Sequence, residues 1–89
     1  MSLEAQFNDA AVKVKKLKAM PSNDDLLELY GLFKQATVGD NTTERPGMLD
    51  VKGKAKWDSW TSKKGMSKAD AQQKYIDKVE ALVGSIGLQ

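Results

Sequence analysis

The chain has 89 residues, no cysteine and no histidine, and its 14 basic and 12 acidic residues give a formal net charge of +2. Without these two residue types, disulfides and thiolate metal sites are excluded and most hydrolytic chemistries are disfavoured, so we expect neither an enzyme nor a metal site. All the basic residues except Arg45 are lysines, whereas nucleic-acid-binding proteins generally use the planar fork of arginine, so this class is disfavoured too.

The length predicts one domain, residues 1–89, near the lower size limit at which a hydrophobic core suffices without disulfides or metals. The start lacks the basic and apolar regions of a signal peptide, and no apolar run approaches the ~18 residues of a membrane span. We therefore expect a soluble, cytoplasmic protein.

The first predicted helix is amphipathic and runs to about Ala19. Its apolar stripe recurs at spacings of four and three residues: Leu3, Phe7, Ala10, Val14 and Leu17. Lysines cluster towards its end, where they complement the helix macrodipole and are typical of a solvated face.

The second predicted helix runs from about Asn23 to Val38. Pro21 ends the preceding helix, Ser22 and Asp25 have the spacing of a capping box, and Gly39 is suited to end the new helix. The mid-helix Gly31 indicates either close packing or simple tolerance of glycine.

One arc of the second helix carries a lysine among apolar side chains. At ~100° per residue it holds Leu26, Leu27, Tyr30, Phe33, Lys34 and Thr37. Tyr30 and Phe33 would by default be core residues, and the stem of Lys34 could run along the core to reach water. Alternatively, the Tyr30 hydroxyl and the Lys34 ammonium could bind a phosphate together.

A loop without apolar periodicity, residues 38–49, comes next, and loops of this length in small domains are usually functional or disordered. Asp50 is expected to cap a third helix over about 51–63, which Gly65 ends in a left-handed conformation.

The third helix is only weakly amphipathic. Helical geometry places Lys52, Lys56 and Trp60 within ~80° of one another, so a cationic strip adjoins aromatic surface. Trp57 and Trp60 lie one turn apart, and we expect one or both to be core anchors. A core position for Trp57 is compatible with lining a cavity.

Ser67 and Asp70 predict the start of a fourth helix that ends near Gly84, with a frayed tail over 85–89. Its apolar stripe comprises Tyr75, Ile76, Val79, Leu82, Val83 and Ile86. With no strand alternation and no repeat, we expect one all-α bundle. Its short links imply that helices 1 and 2, and helices 3 and 4, are antiparallel neighbours.

Three adjoining motifs are specific: KQATVGD, TERPGMLD and KGKAKWD, which begin at Lys34, Thr43 and Lys52. They resemble the acyl-CoA-binding protein family, also called the diazepam-binding inhibitor family, and the resemblance extends from Phe7 to Glu80. It implies a four-helix up-down-down-up bundle with a long loop between helices 2 and 3. It also implies a monomer that binds long-chain fatty acyl-CoA esters with high affinity and serves as an intracellular acyl-CoA carrier and pool former.

The resemblance also implies the site, which needs no cofactor or metal besides this ligand. The head group would bind Tyr30, Lys34, Lys56 and Tyr75, with Lys15 and Lys52 at the margin. Phe33 stands where the family commonly has a tyrosine, so it keeps a stacking surface without the hydroxyl. The acyl groove would comprise Ala10, Val14, Leu26, Leu27 and Trp57.

Three other functions compete with this interpretation. A membrane-surface or partner-helix module could use the lysine-rich first helix, but Glu4 and Asp9 on its polar face are unusual there, and it leaves Lys34 unexplained. A nucleic-acid binder would need exposed stacking aromatics in a basic groove. Catalysis is the weakest, because no nucleophile and base have a suitable spacing. The expected partners beyond acyl-CoA are transient: membrane surfaces or acyl-CoA-using enzymes.

Overall fold

Four helices form an up-down-down-up all-α bundle in the computed structural model, which describes residues 2–89. They are α1 (Leu3–Lys13), α2 (Asn23–Thr37), α3 (Val51–Thr61) and α4 (Lys68–Ile86). Helices α2, α3 and α4 begin where the predicted capping residues place them. The side chains of Ser2, Ser22, Asp50 and Ser67 each accept a hydrogen bond from the backbone N–H three residues later.

The first helix is shorter than predicted. Its α-helical part ends at Lys13, a 3₁₀ turn covers Val14–Lys16, and Leu17 is extended and buried. The apolar stripe continues through this change of conformation, because a 3₁₀ turn still brings Leu17 to the core side. Periodicity alone therefore overestimated the length of the first helix.

The tail is paired rather than frayed, and α4 extends past Gly84. Gly87, with φ 89°, turns the chain after α4, so that Leu88 forms an antiparallel bridge with Leu17. The Lys18 N–H donates to the Gly87 carbonyl at 2.9 Å, and the Gln89 N–H donates to the Lys16 carbonyl at 2.9 Å. This long-range backbone pairing has no signature in the local sequence.

The helices that pack together are not those joined by short links, contrary to the prediction. Helix α4 packs on both α1 and α2, and α2 packs on α3. Helices α1 and α2 meet through the rings of Phe7 and Phe33, whose centroids are 5.5 Å apart. The reason is the stripe of α4, whose buried residues fill the space between α1 and α2: Ala71, Tyr75, Ile76, Val79 and Leu82.

Helix α2 has two apolar faces, of which sequence analysis found one. Its core face consists of Leu29, Leu32 and Ala36, all buried, whereas the predicted arc with Lys34 is only partly buried. Phe33 remains 38% exposed. The arc is therefore free to serve as a site while the opposite face stabilises the bundle.

The loop between α2 and α3 is fastened along α3 by side-chain hydrogen bonds. Trp60 is buried and its indole N–H donates to the Gly39 carbonyl at 2.7 Å. Trp57 is half-buried, not a core residue, and its N–H donates to the Thr43 carbonyl at 3.0 Å. This face of α3 packs against the polar backbone of the loop and not against apolar side chains. The helix therefore has little amphipathic pattern.

Two carboxylates complete this fastening, one through an ion pair and one through hydrogen bonds from neutral groups. Arg45 donates two hydrogen bonds to the Asp58 carboxylate, at 3.1 and 3.0 Å, and this guanidinium holds the pKa of Asp58 below its ordinary value. The Asp40 carboxylate accepts from the Gly65 N–H at 2.9 Å and from the Gln35 amide at 2.8 Å, and these bonds lower its pKa. Gly65, with φ 90°, is the predicted left-handed residue after α3.

Gly31 permits the close approach of α2 and α3. A Cβ atom there would lie 2.8 Å from the backbone oxygen of Ser59 and 2.5 Å from its Oγ. We therefore predict that Gly31→Ala lowers the free energy of unfolding by about 1–2 kcal/mol, because overpacking outweighs the gain in helix propensity.

Gly84 is the matched control for this substitution, since a Cβ atom there meets nothing within 4 Å. Gly84→Ala should raise the free energy of unfolding by about 0.5–1 kcal/mol. Denaturant unfolding of both variants checks the pair. If Gly31→Ala also proves stabilising, the glycine reflects tolerance and not packing.

Candidate functional site

Two cavities flank the start of α2 and share one lining residue. The first, of about 390 Å³, lies between α2 and α3 and is lined by Leu26, Leu27, Val51 and Ala55, with Lys52 and Lys56 at its edge. The second, of about 500 Å³, lies under the connection from α1 and is lined by Val14, Lys15, Leu17, Met20, Pro21 and Leu26. Because Leu26 lines both, the two cavities adjoin across its side chain, with lysines at the edges of a largely apolar surface.

Three aromatic rings join α1, α2 and α4 beside the arc of α2. The Phe7 centroid is 5.0 Å from that of Tyr75, and the Phe33 and Tyr75 centroids are 5.8 Å apart. Phe33 thus packs on two rings while keeping part of its own ring open to solvent, which leaves a supported surface for stacking. Burial raises the pKa of the Tyr75 hydroxyl further above neutrality, and the protonated hydroxyl can donate a hydrogen bond.

Two lysines lie over aromatic rings of the neighbouring helix. The Lys34 ammonium on α2 is 4.9 Å from the ring centroid of Trp60 on α3. The Lys56 ammonium on α3 is 5.5 Å from the ring centroid of Tyr30 on α2. Such contacts are worth ~0.5–1 kcal/mol at exposed sites, less than the ~1.5–3 kcal/mol of a hydrogen bond to a charged group. An anion can therefore compete with the aromatic ring for either ammonium group.

The lysines fall into two groups by their partners. Lys13, Lys63 and Lys78 form salt bridges, with Nζ–O distances of 3.2 Å to Glu80, 2.6 Å to Glu28 and 2.6 Å to Asp25 respectively. Hydrogen bonding from Lys78 also lowers the pKa of Asp25. By contrast, the other ten lysines form no salt bridge with a carboxylate within residues 2–89, and four of them are the site lysines Lys15, Lys34, Lys52 and Lys56.

Two predicted groove residues lie elsewhere. Ala10 is buried in the core and Trp57 holds the loop, and neither lines one of the two cavities. Sequence analysis missed Val51 and Ala55, although both flank the predicted Lys52 and Lys56 strip on α3. Each directly precedes a lysine of that strip, so extending the strip by one residue on this side would have identified them.

Neither a metal-binding cluster nor a membrane-spanning helix is found among the described residues. In the part that the structure describes, residues 2–89, no cluster of three or more His, Cys, Asp or Glu side chains could hold a metal ion. None of the helices described there is long and apolar enough to cross a membrane.

The chain is similar to known proteins over most of its length. The family model described as acyl CoA binding protein matches residues 4–79. The chain is 60% identical over 90 residues to the acyl-CoA-binding protein homolog of Manduca sexta, with 100% of both chains covered. It is 62% identical over 81 residues to acyl-CoA-binding protein homolog 1 of Caenorhabditis elegans, covering 91% of this chain and 94% of that protein.

A solved structure gives the same result for the fold. The crystal structure of Oryza sativa acyl-CoA-binding protein 2 superposes with a TM-score of 0.90 at 46% identity, covering 94% of this chain and 93% of that one. Together with the match over most of its length, this similarity shows that the chain belongs to the acyl-CoA-binding protein family.

Proposed function

We propose that residues 1–89 form a single acyl-CoA-binding domain that binds long-chain fatty acyl-CoA esters with high affinity. In this proposal it is a cytoplasmic monomer that carries and stores acyl-CoA and performs no catalysis. The observation that carries the proposal is the placement of the site lysines: Lys34 and Lys56 lie over aromatic rings, and Lys15, Lys52 and Lys56 line apolar cavities that meet at Leu26. A ligand with phosphates at one end and a hydrocarbon chain at the other matches this surface.

The head group is assigned to side chains of α2 and to those that α3 and α4 each place against α2. Lys34 and Lys56 supply point charges for the ribose phosphate, and Tyr30 and Phe33 supply ring surface for adenine. The protonated hydroxyl of Tyr75 donates a hydrogen bond to the head group. Lys15 and Lys52, each at the edge of a cavity, stand at the margin of this site.

The acyl chain is assigned to the two cavities that meet at Leu26. Leu27 and Val14 line one cavity each, whereas Ala10 and Trp57 support the groove from the core and from the loop. Burying a methylene group contributes ~0.8 kcal/mol, so a dozen would contribute on the order of 10 kcal/mol. This is similar in size to the cost of association, which is about 4–15 kcal/mol.

This comparison of magnitudes makes the ester the preferred ligand. A free fatty acid or free coenzyme A bears the whole association cost for half of the contacts, whereas the ester bears it once for both halves. Calorimetric titrations with palmitoyl-CoA, palmitate and coenzyme A test this directly. We expect one site per chain and far tighter binding of the ester, and equal affinities for palmitate and palmitoyl-CoA would refute the proposal.

The rival use of the first helix as a membrane-surface module is not supported by the packing. Phe7, Ala10 and Leu17 from its apolar stripe are buried in the core. Lys13 on the same helix is bound to Asp9 and Glu80. The proposed partners beyond acyl-CoA remain transient: membrane surfaces or the enzymes that make and use acyl-CoA.

A further inference from the structure

The turn before α3 presents large apolar side chains to solvent. The Asp50 N–H donates to the Gly47 carbonyl at 3.1 Å, so Met48 and Leu49 are the central residues of a β-turn. Met48 is 86% exposed, Leu49 99% and Val51 70%. Turn centres normally hold Gly, Pro, Asn, Asp or Ser, so neither the turn nor the core accounts for these side chains. We call Met48, Leu49 and Val51 the apolar tip.

Positive charge adjoins the apolar tip. The Lys54 ammonium donates to the Met48 carbonyl at 3.0 Å, so it lies beside the tip itself. Lys52 and Lys56 follow on α3, and both are exposed. The single acidic residue between positions 46 and 57 is Asp50, whose carboxylate is occupied by the Gly53 N–H at 2.9 Å.

The tip is held in place by the loop contacts with α3. Arg45 binds Asp58 through two hydrogen bonds, and Trp57 binds the Thr43 carbonyl, on the segment that leads into the turn. A surface that is already ordered loses little conformational entropy on binding. Exposed apolar groups on such a surface are typical of an interaction site.

We propose that the apolar tip docks on a bilayer that contains anionic lipids. Apolar side chains beside lysines match the interfacial region of such a bilayer, where hydrocarbon lies below negatively charged head groups. A stable protein interface buries about 800 Å² per partner, which calls for a broad complementary surface and not the end of one turn. Because Val51 also lines the cavity between α2 and α3, docking places this cavity next to the lipid surface.

Co-sedimentation with phosphatidylcholine vesicles, with and without phosphatidylserine, tests the proposal at low ionic strength. We expect the wild-type protein to bind vesicles with phosphatidylserine at least ~10-fold more tightly, since each lysine near an anionic surface contributes roughly fivefold. A Met48→Ser/Leu49→Ser double variant should bind at least ~10-fold more weakly than the wild type, the order expected for withdrawing buried apolar side chains. Lys54→Gln should lose about fivefold.

Val12→Ser is the matched control, because Val12 is also exposed, at 51%, and lies among the lysines of the first helix. It should bind vesicles like the wild type. Equal vesicle binding by the double variant, or no wild-type binding to phosphatidylserine vesicles, overturns the proposal. So does a wild-type dimer in sedimentation velocity that the double variant abolishes, since a second copy then covers the tip.

Acyl-CoA titrations of the same proteins separate this inference from the proposed function. Met48 and Leu49 line neither cavity and are 86% and 99% exposed, so the double variant should retain wild-type affinity and melting temperature. Wild-type protein that binds vesicles but no acyl-CoA contradicts the proposed function alone. Wild-type protein that binds acyl-CoA but no vesicles contradicts the docking surface alone.

Discussion

Replacing Lys34 or Lys56 by alanine should weaken acyl-CoA binding by ~1.5–3 kcal/mol, or roughly 10- to 150-fold, without unfolding the protein. The two ammonium groups come from different helices and lie over rings at the α2–α3 seam, where each can donate charge-assisted hydrogen bonds to one phosphate. Neither has a salt bridge within residues 2–89, so the substitutions leave no buried carboxylate unpaired. Calorimetric titration measures the loss.

Lys74→Ala is the control for the change in net charge. Lys74 is an exposed lysine of α4, so its removal should alter the affinity little. Added salt should weaken wild-type binding more than that of the Lys34→Ala/Lys56→Ala double variant. With a dephospho ligand that lacks the ribose phosphate, the alanine variants should match the wild type. If instead they melt early and their folded fraction binds normally, the lysines are structural.

Phe33→Ala should lose ~1–3 kcal/mol of binding, the range for stacking of a base on an aromatic ring, whereas Phe33→Tyr should change affinity by less than ~1 kcal/mol. The ring is supported by Phe7 and Tyr75, and its exposed part is available to adenine. The Tyr hydroxyl can point to solvent, because the residue is 38% exposed. The melting temperature of Phe33→Ala should also fall, but by less than a fully buried Phe→Ala, which costs ~3–5 kcal/mol.

Leu29→Ala provides the opposite pattern for comparison. Leu29 is buried on the core face of α2, so its truncation should cost about 2–5 kcal/mol of stability while the folded molecules bind normally. Titrations and melting curves of the three variants distinguish the two faces of the helix. A Phe33→Ala variant that behaves like Leu29→Ala would assign this ring to the core alone.

The helix starts could be predicted because their signals are local. Ser22 and Ser67 cap helices through residues only three positions away, and the structure shows both bonds. The core face of α2 was harder to predict, because apolar residues cover most of the helix surface. Periodicity does not tell which of these residues face the core. Leu29 and Leu32 were therefore missed as core residues, although their burial follows once α4 packs on α2.

The sequence predicted which residues form the site but not which side chains contact one another. Sequence analysis placed Tyr30 and Lys34 together because they share an arc of one helix. The structure pairs each with the other helix instead: Lys34 with Trp60, and Tyr30 with Lys56. These cross-helix contacts accompany the close α2–α3 approach at Gly31, for which the sequence indicated close packing or tolerance without naming the partner helix.

The peripheral position of α3 has a consequence for local unfolding. Of the other helices in residues 2–89, α3 packs closely on α2 alone, whereas α4 is held by both α1 and α2. Helices with fewer tertiary neighbours open with smaller free energies than the centre of a bundle, so the backbone amides of α3 should exchange with solvent before those of α4. A ligand that bridges Lys34 and Lys56 binds only the closed form, and its occupancy would slow exchange across α3 in proportion to its concentration.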